Sequence, residues 1–151
     1  MNTQYLPVFV FSPILVLSFY YGYTPLLVVA AFFIISLIAF LVYYKDKTAA
    51  ISGAWRTPES TLHMLSLMCG WPGAIIAQQT LRHKTKKKMF RIVFWLTVAM
   101  NIGAFVWLHT PEGSRMLRSN IYRLDSFIPK SQEPYSISNL MRRLTKFNAK
   151  N

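Results

Sequence analysis

Acidic residues are scarce. Five Asp and Glu stand against seventeen Lys and Arg in 151 residues, for a formal net charge of +12. Charge of either sign is low at 15%, where a soluble domain carries roughly 25%. Cysteine is reduced to Cys69, which excludes an internal disulfide framework and a cysteine-rich zinc site. His63, His83 and His109 are too scattered for a metal signature. There is no Walker-type glycine-rich loop, no His-Glu-x-x-His and no Gly-x-Ser-x-Gly elbow. Neither a metal nor a cofactor is expected. What is there instead is apolar: 53% hydrophobic and 15% aromatic residues. This composition excludes collagen-like and disordered classes, does not read as a soluble globule, and at this length allows one domain.

The apolar residues fall into runs. Leu6 to Tyr21 holds no charge but is short for a span and contains Pro7 and Pro13. Tyr5, Tyr20, Tyr21 and Tyr23 extend it into the interfaces, where tyrosine is favoured. A cleaved signal peptide is the rival reading, and it lacks a basic start and an Ala-x-Ala site. Pro25 to Tyr44 is the strongest run, with twenty uncharged residues closed by Tyr43, Tyr44 and Lys45 as an interfacial anchor. About twenty helical residues cross a hydrocarbon core. Gly22-Tyr23-Thr24 joins the first two runs as a helical hairpin. Ile92 to Leu108 is the third clear run, with Asn101 and Gly103 as residues suited to a helix-packing face.

Pro58 to Leu81 is ambiguous. Only Leu67 to Ala77, eleven residues, is unbroken, and Gly70-Trp71-Pro72-Gly73 lies within it. Proline breaks a helix and glycine frees a turn, so the spacing predicts a re-entrant hairpin with its tip at Gly70 to Gly73. Pro58 to Cys69 would reach about 18 Å at 1.5 Å per residue. A full span is the alternative. The loop Arg82 to Arg91 carries six basic residues in ten and is expected to stay cytoplasmic. A hairpin keeps Lys45 to Thr57 on that same side. It also puts the tail, with eight Lys and Arg after Leu108, on the other side, against the positive-inside rule.

That tail, His109 to Asn151, is polar with breaks at Pro111, Pro129 and Pro134. Ile137, Leu140, Met141, Leu144 and Phe147 recur at helical spacing, interleaved with Arg142, Arg143 and Lys146. This pattern predicts a basic amphipathic helix on a membrane surface; a disordered tail is the other reading.

Polar groups concentrate between Lys45 and Arg91. Thr57 is a candidate N-cap with Pro58 at the first helical position. Glu59, His63 and Ser66 share one helical face. Lys84, Lys87, Lys88 and Arg91 form one basic stripe if a helix continues through them. Met64, Met68 and Trp71 read as packing. The candidate interfacial cluster is Asp46, Lys47, Arg56, Glu59, His63, Arg82, His83, Lys84 and Lys87. Asp46 and Glu59 are the only acids before Glu112, so Asp46, Arg56, Glu59, Arg82 and His83 are expected to converge, and Glu59→Ala to destabilise more than Lys86→Ala.

The ordered set Asp46-Lys47-x-x-Ala50, Trp55-Arg56-x-Pro58-Glu59-x-x-Leu62, Gly70-x-Pro72-Gly73-Ala74 and Arg82-His83-Lys84-Thr85-x-Lys87-x-x-Phe90 resembles the bacterial membrane family called domain of unknown function 1294. The resemblance covers about Tyr44 to Phe94. It departs at Met68-Cys69-Gly70, where many members carry paired glycines. Some members carry an amino-terminal cold-shock domain, which binds nucleic acid; these 151 residues contain none, so that association transfers weakly. The resemblance implies a small inner-membrane protein and adds no reaction.

The expected fold is an all-α membrane protein: three transmembrane helices plus a re-entrant hairpin, or a four-span bundle. An integral membrane domain over 1–108 precedes a polar basic tail over 109–151. Two functions stay open. One is a non-catalytic module whose basic face binds an anionic lipid headgroup, nucleic acid or a partner protein, with a homo-oligomer also conceivable. The other is a small membrane enzyme acting on a lipid-borne substrate, with Glu59 or His63 as acid or base and Arg56 and Arg82 clamping phosphate.

Overall fold

A computed structural model describes residues 3–84, 87–127 and 137–147, the Asp125 side chain excepted. Among them every regular element is helical. A 3-10 turn at Thr3–Tyr5 leads into α1 (Leu6–Tyr20), followed by α2 (Leu26–Ser52), α3 (Glu59–Leu65), α4 (Trp71–Leu81), α5 (Lys88–Leu108), α6 (Pro111–Phe127) and α7 (Ile137–Thr145). Three stretches are long and apolar enough to cross a membrane: Thr3–Tyr20, Leu26–Ser52 and Lys88–Leu108. Two compact units divide the chain. The first is Met1–Ser12 with Ala31–Gly103, and the second is Pro13–Ala30 with Ala104–Asn151.

In the first unit, α2 runs two turns past the point where its apolar run ends. Ala49 and Ala50 favour helix, and the Thr48 and Ser52 hydroxyls bond back to the carbonyls of Lys45 and Thr48. Gly53, with φ of +70°, ends the helix as the Ala54 N–H reaches the Ala49 carbonyl, a left-handed cap that glycine adopts freely. Asp46 therefore rides on the helix rather than on a loop. Tyr43, expected as an interfacial anchor, is fully buried and accepts a hydrogen bond from Gln78 Nε2 at 3.2 Å. Tyr44, one residue on, faces outward.

The turn of the hairpin falls earlier than Gly70 to Gly73. Backbone geometry leaves the helix at Met68 and at Cys69, whose φ is +74°. Gly70 precedes α4, and Trp71-Pro72-Gly73 is its first turn, with Pro72 where proline costs no hydrogen bond. The paired glycines of the resembling family suit this place, because the left-handed region strains a residue with a Cβ. Gly73 serves contact rather than turning. A Cβ there would lie 1.8 Å from the Ser36 carbonyl oxygen, so α4 approaches α2 backbone to side-chain-free backbone. Trp71 is fully buried, its ring 5.0 Å from that of Phe11, which in turn lies 5.0 Å from Phe32. Met64 and Met68, expected to pack with Trp71, are exposed.

The break at Met68 and Cys69 frees carbonyls inside an apolar unit. Asn101 of α5 meets them: its Nδ2 donates to the carbonyls of Ser66 at 3.2 Å, Leu67 at 3.0 Å and its own-helix Thr97 at 2.9 Å. The freed backbone is thus satisfied by a buried side chain.

In the second unit the chain turns from α1 to α2 at Gly22, with φ of +74°. Ser18 Oγ lies 2.7 Å from His109 Nε2 and 3.2 Å from Thr24 Oγ1, and His109 Nδ1 lies 2.8 Å from the Phe105 carbonyl. These contacts tie the end of α5 to the α1–α2 turn. The tail, read from sequence as one helix after proline breaks, holds two. Pro111 opens α6 instead of interrupting it, because the first helical turn has no N–H to lose.

Candidate functional site

The short link between α2 and α3 and the return from α4 meet at Asp46, so both ends of the hairpin lie at the same end of α2. Asp46 is fully buried. Its Oδ2 lies 2.8 Å from His83 Nε2 and 3.3 Å from Lys84 Nζ. Its Oδ1 accepts the Thr57 backbone N–H at 3.0 Å and lies 3.8 Å from Arg56 Nε. A carboxylate out of water is tolerated only when paired and hydrogen-bonded on both oxygens. That condition is met here.

Lys84 links this carboxylate to the second one. Its ammonium, only 5% exposed, also lies 3.1 Å from Glu59 Oε1, and it sits 5.2 Å from the centre of the Phe90 ring. Lys87 holds Glu59 from the open side at 2.9 Å. The chain reaches this geometry through two left-handed residues around His83. Arg82 (φ +47°) caps α4 while the His83 N–H bonds to the Gln78 carbonyl, and Lys84 (φ +61°) turns the chain again. Strained backbone of this kind persists where surrounding contacts over-determine it.

The hydrogen bonds from Lys87, with Lys84 adding to them, hold the Glu59 carboxyl below the ordinary carboxylate range. A carboxyl lowered on folding stabilises the protein above its unfolded value near 4.5 and loses that contribution as pH falls through the folded value. The wild-type protein is therefore expected to lose thermal stability in detergent as pH drops below that value, and Glu59→Gln to lose less over the same interval. Equal pH slopes for the two proteins would contradict the assignment.

Of the nine sequence candidates, Asp46, Arg56, Glu59, His83, Lys84 and Lys87 are joined by these contacts. His63 stands on the Phe90 ring, centroids 4.4 Å apart, and its buried Nδ1 has no hydrogen-bond partner among the described residues. Lys47 is half-buried and Arg82 exposed, and neither has an ion-pair partner among the described residues. Arg82 spends its position on the helix cap instead of on a carboxylate. Glu59 takes lysines rather than the expected arginines, because the two left-handed turns swing Lys84 inward and Arg82 outward. The basic stripe does not exist as one helix face, since α4 ends at Leu81 and α5 begins at Lys88. Pro58, not Thr57, stands at the N-cap of α3, and the Thr57 N–H goes to Asp46. Ser66, expected to share a face with Glu59 and His63, is buried, its hydroxyl donating to the Leu62 carbonyl. Thr85 and Lys86 lie outside the described residues. Sequence reading missed Phe90 as the ring beneath Lys84 and His63, and Gln78 as the donor to Tyr43. The only signal for Gln78 was a polar residue in an apolar run.

These features define a class: an all-α protein with three helices fit to cross a membrane and a short helical hairpin closed by buried ion pairs. A family model described as "Protein of unknown function (DUF1294)" matches residues 36–90. The "Uncharacterized protein YsdA" of Bacillus subtilis (strain 168) is 35% identical over 66 residues, covering 43% of this chain and 74% of that relative. The chain belongs to this DUF1294 family. No solved structure matches it. The matched segment contains the whole ion-pair cluster and the Met68–Gly70 turn.

Proposed function

We propose that this is a bacterial inner-membrane protein in which α3 and α4 form a re-entrant hairpin, with a binding site for an anionic lipid headgroup at its open end. Two features of the geometry support the hairpin. Both of its ends contact Asp46. Gly73 meets α2 at Ser36, ten residues before Asp46, or about 15 Å along the helix, half of a roughly 30 Å core. The basic loops then share the cytoplasmic face, as the positive-inside rule favours. Single cysteines at Ser52 and Lys87, in a background lacking Cys69, are expected to label from one side of the membrane. Labelling from opposite sides would mean a four-span bundle.

The surplus of cation carries the binding reading. Two carboxylates face Arg56, Lys84 and Lys87, with His83 also on Asp46, and Arg56 and Lys87 remain 54% and 59% exposed. Glu59 and Asp46 fix these side chains without neutralising all of them. Arg56 offers a planar fork for phosphate, and Trp55, exposed beside it, suits a headgroup boundary. Phosphatidylglycerol added to the detergent-solubilised protein is expected to raise its melting temperature more than phosphatidylcholine does. Arg56→Gln with Lys87→Gln should reduce the difference, while Lys88→Gln, at an exposed cation in none of these ion pairs, should not. A difference undiminished by the double substitution, or none in the wild type, would end the headgroup reading.

A membrane enzyme is the second reading. The Asp46–His83 hydrogen bond favours it, because a carboxylate holding one ring nitrogen leaves the other available as a base. Headgroup binding that survives His83→Gln while turnover of a lipid-borne substrate is lost would separate the two.

A further inference from the structure

Unit two carries a surface that the Asp46 cluster does not explain. We infer that α6 and α7 form a basic amphipathic platform that binds the anionic phospholipid surface at the edge marked by Tyr21, Gly22 and Tyr23.

The platform is anchored at that edge. Arg118 Nη2 donates to the Gly22 carbonyl at 3.1 Å, in the turn between α1 and α2. Tyr20, Tyr21 and Tyr23 are exposed around this turn, the placement tyrosine takes at a headgroup boundary. The guanidinium of the same Arg118 stands 4.7 Å over the Phe147 ring, which ties the end of α7 to α6. Only His109 and Thr110 separate α6 from the end of α5. The short link and the Arg118 bond hold α6 beside the α1–α2 turn.

Its uncovered face is apolar with cationic flanks. Ile137 is 74% exposed and Phe127 82%, and Leu140, Met141, Met116 and Leu124 are exposed as well. On α7, Ile137, Leu140 and Met141 share one arc, and Arg143 and Lys146 lie exposed off that arc. Long cationic side chains there reach phosphate while the apolar arc enters the acyl boundary. A soluble partner would not require the tyrosine edge or the anchor at Gly22. A bilayer supplies an apolar layer beneath anionic phosphate, in the order that the face presents apolar and cationic groups.

The test uses the full chain reconstituted in vesicles, with a fluorophore on Leu140→Cys in a Cys69→Ser background. Spin-labelled lipids are expected to quench the fluorophore in phosphatidylcholine vesicles containing phosphatidylglycerol, and less without it. At about 1 kcal/mol per cation near an anionic surface, Arg143→Gln with Lys146→Gln should shift the balance toward the water-exposed state roughly 30-fold. Equal accessibility to aqueous iodide in both vesicle types would overturn the inference. So would protection from iodide that grows with protein density and comes without lipid quenching, since a second copy would then cover the face. The Asp46 cluster is intact in every variant, so the outcome does not depend on the headgroup site.

Discussion

Asp46→Ala is expected to destabilise the protein by about 3–5 kcal/mol, the cost of leaving buried charge unpaired. Removal of this carboxylate strips His83 and Lys84 of their partner at the open end of the hairpin, and leaves the Thr57 N–H without an acceptor. Lys84 is the sensitive group, because its ammonium is almost fully buried and would keep only Glu59. Asp46→Asn preserves volume and can still accept from Thr57, so it isolates the charge. It should cost less than Asp46→Ala and more than Glu59→Gln, whose carboxylate is partly solvated and held by an exposed lysine. Lys88→Ala, an exposed residue at the start of α5, should stay within about 0.5 kcal/mol of wild type. Unfolding in mixed detergent, read by circular dichroism, gives the series. Equal stability of Asp46→Ala and Lys88→Ala would show that the cluster contributes nothing to the fold.

Asn101→Leu is expected to cost about 2–6 kcal/mol, from roughly 1–3 kcal/mol for each of the two hairpin carbonyls left without a donor. The side chain is buried, and its amide is the donor to Ser66 and Leu67 where the helix breaks. Water cannot replace it inside an apolar layer, so the penalty is not recovered by solvation. Asn101→Asp is the informative companion. It keeps size and polarity but presents acceptors to acceptors when ionised, and should be no better than leucine. Near-wild-type stability for Asn101→Asp would show that packing rather than donation is what the position supplies. The same unfolding series measures both, and limited proteolysis near Met68 should report local opening of the hairpin.

Much of the helical layout was legible because hydrophobic length is a one-dimensional property. Pro25 to Tyr44 and Ile92 to Leu108 announce apolar helices by composition alone. Their true ends, Ser52 and Lys88, do not follow from apolarity, since Ala49, the Gly53 cap and the Asp46 ion pairs extend α2 beyond its greasy run. The α6 helix was hidden for a related reason. Its sequence is polar and begins with proline, which reads as a break in a tail and as a first turn once Arg118 and Gly22 are in contact.

For the site, scarcity was the guide. With two acids among the first 111 residues, Asp46 and Glu59 had to be where the basic residues gathered, and they are. Which cation meets which carboxylate was decided by backbone turns at Arg82 and Lys84, and left-handed conformations at non-glycine residues leave no mark in a sequence. Asn101 shows the same division. Its presence in an apolar run marked a packing face, but its partners are backbone carbonyls thirty-four and thirty-five residues away. The sequence by itself determined the apolar helices, the basic surplus and the polar residues that a membrane protein must hide. Only the tertiary structure decided how those residues are satisfied, because pairing energies depend on distances of about 3 Å between groups far apart along the chain.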